Sequence, residues 1–391
     1  MKTVVVTGAD GYLGWPTCLK LSKEGFNVIA VDSYVKRRWM DMGNTHPLVN
    51  VSDMKTRVDW HNRKLSKEFD GQPNITPIVA DVCVPEQMDA IFRRFKPDAI
   101  IHYAEQRSAP FSMADRRNAL LTCHNNTVGV LNVLWSIKEH APDCHFIHLG
   151  SMGTYGTPGV PIPEGFFEYM GTRLPFPSMP GSIYHATKVA DAEFMKLLCR
   201  VWGLAATDLH QGVVWGNSTE EMVFAYQKPE SGFIPDHIGT VFQYDGTWGT
   251  ALNRFIVQSC VGKPITPYGK GGQTRGYIHL RDSIQCVTNA VKTPAKSGEY
   301  RVVNQFTEIF SVNDLAQKVA DCIGGEIKRP ENPRVELEDH FYEAANSLIQ
   351  ELGLKDPVRV DEDTIRELAA FVDFNRHLVD TTILDPVDRW K

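Results

Sequence analysis

Apolar and polar positions alternate in two rhythms along the first half of the chain. Short aliphatic or β-branched runs, Val4–Thr7, Asn27–Val31, Thr76–Ala80, Ala99–Tyr103 and His145–Leu149, are each flanked by Gly, Asp or Pro. Such runs predict buried strands. Between them Gly14–Glu24, Pro85–Phe95, Asn118–His140 and Tyr184–Trp202 read as helices. Strand and helix in alternation predict a parallel sheet covered on both faces, an α/β doubly wound Rossmann fold. A further strand over Ala206–Val214 continues the series.

Beyond about residue 216 the alternation stops. Asn217–Gly249 is rich in Gly, Pro, acidic and aromatic residues, which predicts a long loop region with some helix, usable as a lid or substrate contact. Thr250–Val261 and Ser311–Ile323 read as helices, the second with Ser311 and Asp314 spaced close to a capping box. Tyr300–Asn304 reads as a strand. The expected organisation is a Rossmann domain over 1–215 and a smaller domain, mainly 216–391, interleaved with it.

Composition adds exclusions. The 391 residues are 42% apolar and 23% charged, with a formal net charge of −6. No basic surplus points to nucleic acid or a membrane surface, so any anion site must be built locally. The eight cysteines show no Cys-x-x-Cys spacing, which predicts free thiols in a reducing cytoplasm and no metal site. The chain begins in a strand rather than a signal-like segment, and no apolar run reaches the ~20 residues of a membrane span.

Candidate chemistry begins at the first strand. Gly8, Gly11 and Gly14 are spaced Gly-x-x-Gly-x-x-Gly in Thr7-Gly8-Ala9-Asp10-Gly11-Tyr12-Leu13-Gly14, directly between a strand and a helix. Residues without side chains let backbone N–H groups and the helix N-terminus approach a pyrophosphate. Asp32, ending the second strand, can accept both ribose hydroxyls of NAD and would repel a 2′-phosphate. Arg37 and its basic neighbours Lys36 and Arg38 face a pyrophosphate, a 2′-phosphate or solvent. Asp81 and Val82 follow the third strand, placed for an adenine ring or as a helix cap. Tyr184 and Lys188 lie four apart on one helix face. An ammonium beside the phenol, with the positive nicotinamide of oxidised NAD nearby, favours phenolate and lowers the tyrosine pKa, and the tyrosine can then take the proton of a hydroxyl whose hydride leaves for NAD. Ser151, just after the fifth strand, can bridge the same hydroxyl.

These motifs resemble the extended short-chain dehydrogenase/reductase family, which acts mostly on nucleotide sugars. The run Tyr103-Ala104-Glu105-Gln106-Arg107-Ser108-Ala109-Pro110-Phe111-Ser112-Met113 is similar, more narrowly, to that of UDP-sulfoquinovose synthases. So are Ser151-Met152-Gly153-Thr154-Tyr155-Gly156, Gln211–Gly216, Gly249–Phe255, Gly269–Tyr277 and Asn332–Glu336. The resemblance implies NAD as cofactor, with Asp10, Tyr12, Leu13 and Tyr103 added to its contacts, and a UDP-sugar substrate. It implies oxidation of UDP-glucose at C4, loss of water across C5 and C6, addition of sulfite at C6 and return of hydride to C4. His185 would be the base at C5 and Arg107 the attractor of sulfite. Met152, Gln211, Asn253, Gln273, Arg275, Tyr277 and Arg334 would hold the nucleotide sugar in a homodimeric protein.

The chain departs from plant-type synthases in its catalytic loop, where Ser151 and Thr154 stand for Thr and Glu. Ser keeps the hydroxyl. Thr154 removes a carboxylate suited to acid–base work in the elimination. A UDP-hexose 4-epimerase or dehydratase that never uses sulfite, and a non-catalytic NAD-binding scaffold, therefore stand as alternatives.

Overall fold

The computed structural model describes residues 2–68, 74–222, 239–334 and 342–385. Strands β1 (Thr3–Thr7), β2 (Asn27–Asp32), β3 (Ile75–Val79), β4 (Ala99–His102) and β5 (His145–His148) occupy the first five apolar runs. A hairpin follows, β6 (Phe166–Tyr169) with β7 (Thr172–Pro175). Then come β8 (Ala206–Gln211), β9 (Val213–Trp215), β10 (Thr274–His279), β11 (Tyr300–Gln305) and β12 (Glu308–Ser311). Seven parallel strands form the central sheet in the order β11-β8-β5-β4-β1-β2-β3. The order turns back at β1 and β4, which opens a crevice at their carboxyl ends.

The period-two alternation of a strand explains the two layers. Val4 and Val6 point to one face, against Trp15, Leu19 and Leu21 of helix Gly14–Lys23 and Ile284 and Val287 of helix Leu280–Lys292. Val5 points to the other, with Phe92, Val133 and Met195 from helices Pro85–Phe95, Gly129–His140 and Ile183–Trp202. A third core, with Phe255, Tyr277, Leu315, Ile365 and Leu368, builds the C-terminal body around the sheet β12-β10-β9.

Two expectations are revised. The single strand expected over Ala206–Val214 divides at Gly212, sending β8 to the central sheet and β9 to the small one. A Cβ on Gly212 would stand 2.6 Å from the Gly276 carbonyl oxygen, so only glycine lets the chain change sheets there. The helix expected over Asn118–His140 is helix Arg116–Cys123, a π-turn at His124–Val128 and helix Gly129–His140. Of the loop expected over Asn217–Gly249, 223–238 lie outside the described residues, and 239–249 run back onto the glycine turn. Strand β11, although late in sequence, forms an edge of the central sheet, so the two halves of the chain interleave. No described helix is long and apolar enough to cross a membrane.

Candidate active site

The glycine turn closes over the crevice between β1 and β4. Gly8 sits at φ +74°, and a Cβ there would lie 2.7 Å from the Tyr103 carbonyl carbon. A Cβ on Gly14 would lie 2.1 Å from the Gly8 carbonyl oxygen, so the turn and the following helix pack backbone to backbone. Gly8, Asp10, Gly11, Asp32, Arg37, Val82, Tyr103 and Asn125 line one cavity. Asp32 accepts from the N–H groups of Asp10 (2.9 Å) and Tyr34 (2.7 Å). Burial and the neighbouring Asp10 push its carboxyl up to about 6. Ribose hydroxyls would supply the donors that a buried carboxylate wants.

Asp10 has a second use. Its carboxylate receives Arg37 at 2.7 Å and the fully buried Arg57 at 2.6 Å. Arg37 is thus committed to the floor of the turn rather than free to meet a phosphate. Tyr12 reaches across to the Gly216 carbonyl, and Leu13 packs into the core beneath. Asp81 accepts from the Cys83 N–H at 2.9 Å, capping its own turn, while Val82 is the one of the pair that lines the cavity.

The candidate catalytic trio assembles from two elements. Ser182 caps helix Ile183–Trp202, which carries Tyr184, His185 and Lys188. Ser151 follows β5, lies beside the Tyr184 phenol and accepts from the Gly153 N–H at 3.1 Å. Burial raises the Tyr184 phenol above its ordinary value, against the pull of Lys188, Arg107 and Ser151. The expected lowering counts the positive nicotinamide of NAD as well as Lys188, and the desolvation of the phenol is what those two charges work against. Burial also opposes the Lys188 charge, yet Glu105, Tyr184 and Asp191 hold it above the usual lysine range. The Lys188 ammonium contacts Glu105 and the Leu149 carbonyl. Breaking such a buried pair leaves a lone charge and costs about 3–5 kcal/mol.

His185 lies beside this trio. Its Nδ1 meets Ser182 Oγ at 3.0 Å, and Nε2 stands where a Cβ on Gly153 would be 2.2 Å away. Burial, with Arg275, Lys188 and Arg334 around it, lowers His185 to about 4, so the imidazole is neutral at pH 7. Arg275 and Arg334 thus converge on the side of the site expected for a diphosphate. Arg254 joins them: it is buried, bonds Tyr268 and the Thr266 carbonyl, and is lowered to about 9 by burial and by Arg334.

Other expected substrate residues are placed as follows. Arg107 donates to Gln243 (2.9 Å) and to the Trp248 carbonyl (3.0 Å). The Trp248 indole N–H and Thr250 hydroxyl are buried without a hydrogen-bond partner among the described residues. Asn253 accepts from the Gly216 N–H at 3.0 Å, bracing the joint that Tyr12 also reaches. Gln211 donates to Ser283 and Gln305, and Gln273 to the Tyr268 carbonyl. The Tyr277 ring lies tilted against Phe310 in the C-terminal core, and Met152 packs with Tyr155, Ile162 and Phe306. Thr154 Oγ1 donates to the Ser151 carbonyl at 2.8 Å, turned into its own loop.

Sequence reasoning missed Arg57, Asn125 and Arg254 as parts of the site. The one signal for Arg254 was its place in the matching run Gly249–Phe255. Arg57 lies on an unpredicted helix, Met54–Glu68.

A glycine-cradled crevice beside a Ser/Tyr/Lys set defines an enzyme that works redox chemistry on a Rossmann sheet. The chain belongs to the NAD dependent epimerase/dehydratase family, which its residues 4–304 match. NAD is accordingly its cofactor, and the Gly8, Gly14 and Asp32 geometry fits it. The chain is 41% identical to the chloroplastic UDP-sulfoquinovose synthase of Spinacia oleracea, covering 100% of this chain and 79% of the spinach protein. It is 39% identical to the UDP-sulfoquinovose synthase of Sulfolobus acidocaldarius, over 92% of this chain and 90% of that one. Among solved structures, UDP-glucose 4-epimerase from Bifidobacterium longum with NAD+ and UDP superposes with a TM-score of 0.70 at 19% identity, covering 97% of this chain and 100% of that one. That likeness concerns the fold.

Proposed function

We propose that the chain is a UDP-sulfoquinovose synthase, converting UDP-glucose and sulfite to UDP-sulfoquinovose. The observation that carries this is the Ser151/Tyr184/Lys188 set with the neutral His185 and the buried Arg107 both near Tyr184. Gly8, Gly11, Asp32 and Val82 would hold NAD, which would supply the hydride acceptor. Tyr184, beside Ser151, takes the proton of the C4 hydroxyl. Lys188 holds positive charge beneath the phenol as that proton moves. Once C4 is a ketone the C5 proton is acidic, and His185 is the neutral base nearest to Tyr184. Arg107, anchored to Gln243 and to the Trp248 carbonyl, gives sulfite a buried cation. Arg275, Arg334 and Arg254 suit the diphosphate, since guanidinium groups bind phosphates bidentately. Asn253, Gln211, Gln273, Tyr277 and Met152 complete the nucleotide-sugar groove.

Thr154 favours a second reading. With its hydroxyl tied to the Ser151 carbonyl, it offers no carboxylate to the elimination, as a UDP-hexose 4-epimerase would not need one. Tyr184→Phe tests what both readings share. It should retain NAD yet reduce it with UDP-glucose about 10²–10⁴-fold more slowly. Undiminished reduction would remove Tyr184 from the chemistry.

A homodimer is part of the proposal. Leu120, Trp135, Leu197 and Val201 are exposed on helices Arg116–Cys123, Gly129–His140 and Ile183–Trp202. The Trp135 and Trp202 rings, 4.7 Å apart, join the latter two. An apolar face of this kind is commonly covered by a second copy. Light scattering that finds a monomer contradicts it.

A further inference from the structure

Behind Lys188 lies a buried chain of charges that the reaction above does not use. It runs through residues from four separate segments. Glu105 follows β4, His148 ends β5, Lys188 and Asp191 come from helix Ile183–Trp202, and Asp208 lies in β8. The Lys188 ammonium contacts one Glu105 oxygen, and the other meets His148 Nε2 at 2.9 Å. His148 Nδ1 meets Asp208 at 2.9 Å, and Asp208 receives His210 at 3.1 Å and the Tyr300 hydroxyl at 2.6 Å. All the side chains from Glu105 to Asp208 are at most 4% exposed. Gly150 is required at this point, since a Cβ there would lie 2.4 Å from Asp208.

We propose that Glu105, oriented by His148 and Asp208, is the positioning residue that keeps Lys188 a cation beneath Tyr184. This rests on the proposed role of Tyr184 and Lys188. Water cannot stabilise the ammonium here, so its charge depends on the groups around it. Those facing it are Glu105 and His102 after and within β4, His148 and the Leu149 carbonyl from β5, and Tyr184, His185 and Asp191 on its own helix. Glu105 is the carboxylate in contact with Lys188. His148 turns that carboxylate toward Lys188 and adds a second cation, itself held by Asp208. Burial works against the His148 charge and Lys188 repels it, but Asp208 and Glu105 raise it well above the ordinary histidine value. The two neighbours of Lys188 therefore act on it with opposite signs: Glu105 holds the proton on, and His148⁺ pushes it off.

Opposite signs make the test specific. Glu105→Gln keeps shape and removes charge. His148→Gln removes the competing cation. Carbon-labelled lysine NMR on the cofactor-free protein, with Lys188 assigned through Lys188→Arg, reads its titration directly. The pH profile of NAD reduction by UDP-glucose reads it in the loaded enzyme. Glu105→Gln should lower the Lys188 midpoint by about one pH unit or more and move the alkaline limb the same way. His148→Gln should move both upward, and Glu105→Asp should restore them toward the original. A rate that falls at every pH with the Lys188 titration and limb unmoved would overturn the inference, as would both variants shifting in one direction. If the unaltered protein never reduces NAD with UDP-glucose, the functional reading fails, while the NMR titration still decides this one.

Discussion

At the scale of single residues the site is governed by which buried charges find partners. Asp32 is the clearest case, because its backbone donors do not offset burial beside Asp10. An acid whose folded value is raised contributes stability that is present at low pH and lost as pH rises through the folded value. For Asp32 that loss spans the interval from the ordinary 3.8 to about 6. In the cofactor-free protein, Asp32→Asn should therefore gain in melting temperature relative to the parent as pH passes from 4 to 7. The same substitution should weaken NAD and relax discrimination against NADP. A melting difference that stays flat with pH would contradict the assigned burial of this carboxylate. Tyr184 follows the same logic with a different outcome. Its spacing from Lys188 was legible in the sequence, but the balance between ammonium and desolvation was not, since burial is a property of the assembled fold.

At the scale of elements, legibility tracks how local the cause is. Parallel strands buried on both faces read as continuous apolar runs, so β1 to β5 were visible. The glycine turn was visible because its spacing is dictated by backbone contact within one loop. The division of β8 from β9 was hidden, because Gly212 looks like any glycine until Gly276 lies against it. The π-turn at His124–Val128 was hidden too. It places Asn125 in the cavity and lets Asn126 bond Gln106 and Thr187, contacts made across the fold. The turn itself gives an expectation. Gly14→Ala drives a methyl into the Gly8 carbonyl oxygen, with backbone on both sides and nothing soft to yield. Strain of this kind costs about 1–3 kcal/mol. Purified Gly14→Ala should carry much less NAD than the parent, read from its nicotinamide content after release, and melt lower. Full cofactor content would show that the helix can move away.

At the scale of the whole molecule, residues from both halves of the chain gather around the crevice, and the proposed function draws on each. The Rossmann sheet brings the glycine turn, Asp32, Ser151, Tyr184 and Lys188. The C-terminal half brings Arg275 and Arg334 toward His185, with Arg254 beside Arg334. Residues 239–249 tie the halves together, with Thr240 bonding the Tyr12 carbonyl at 2.6 Å and the Trp248 carbonyl receiving Arg107. This joint accounts for what the sequence left open. Motifs announced hydride chemistry, but sulfite depends on how Arg107, Trp248 and Thr154 sit together. The mass of the product formed from UDP-glucose, with and without sulfite, addresses that directly. The account predicts a sulfonated UDP-sugar that forms only when sulfite is present. A product isomeric with UDP-glucose in both reactions would contradict it.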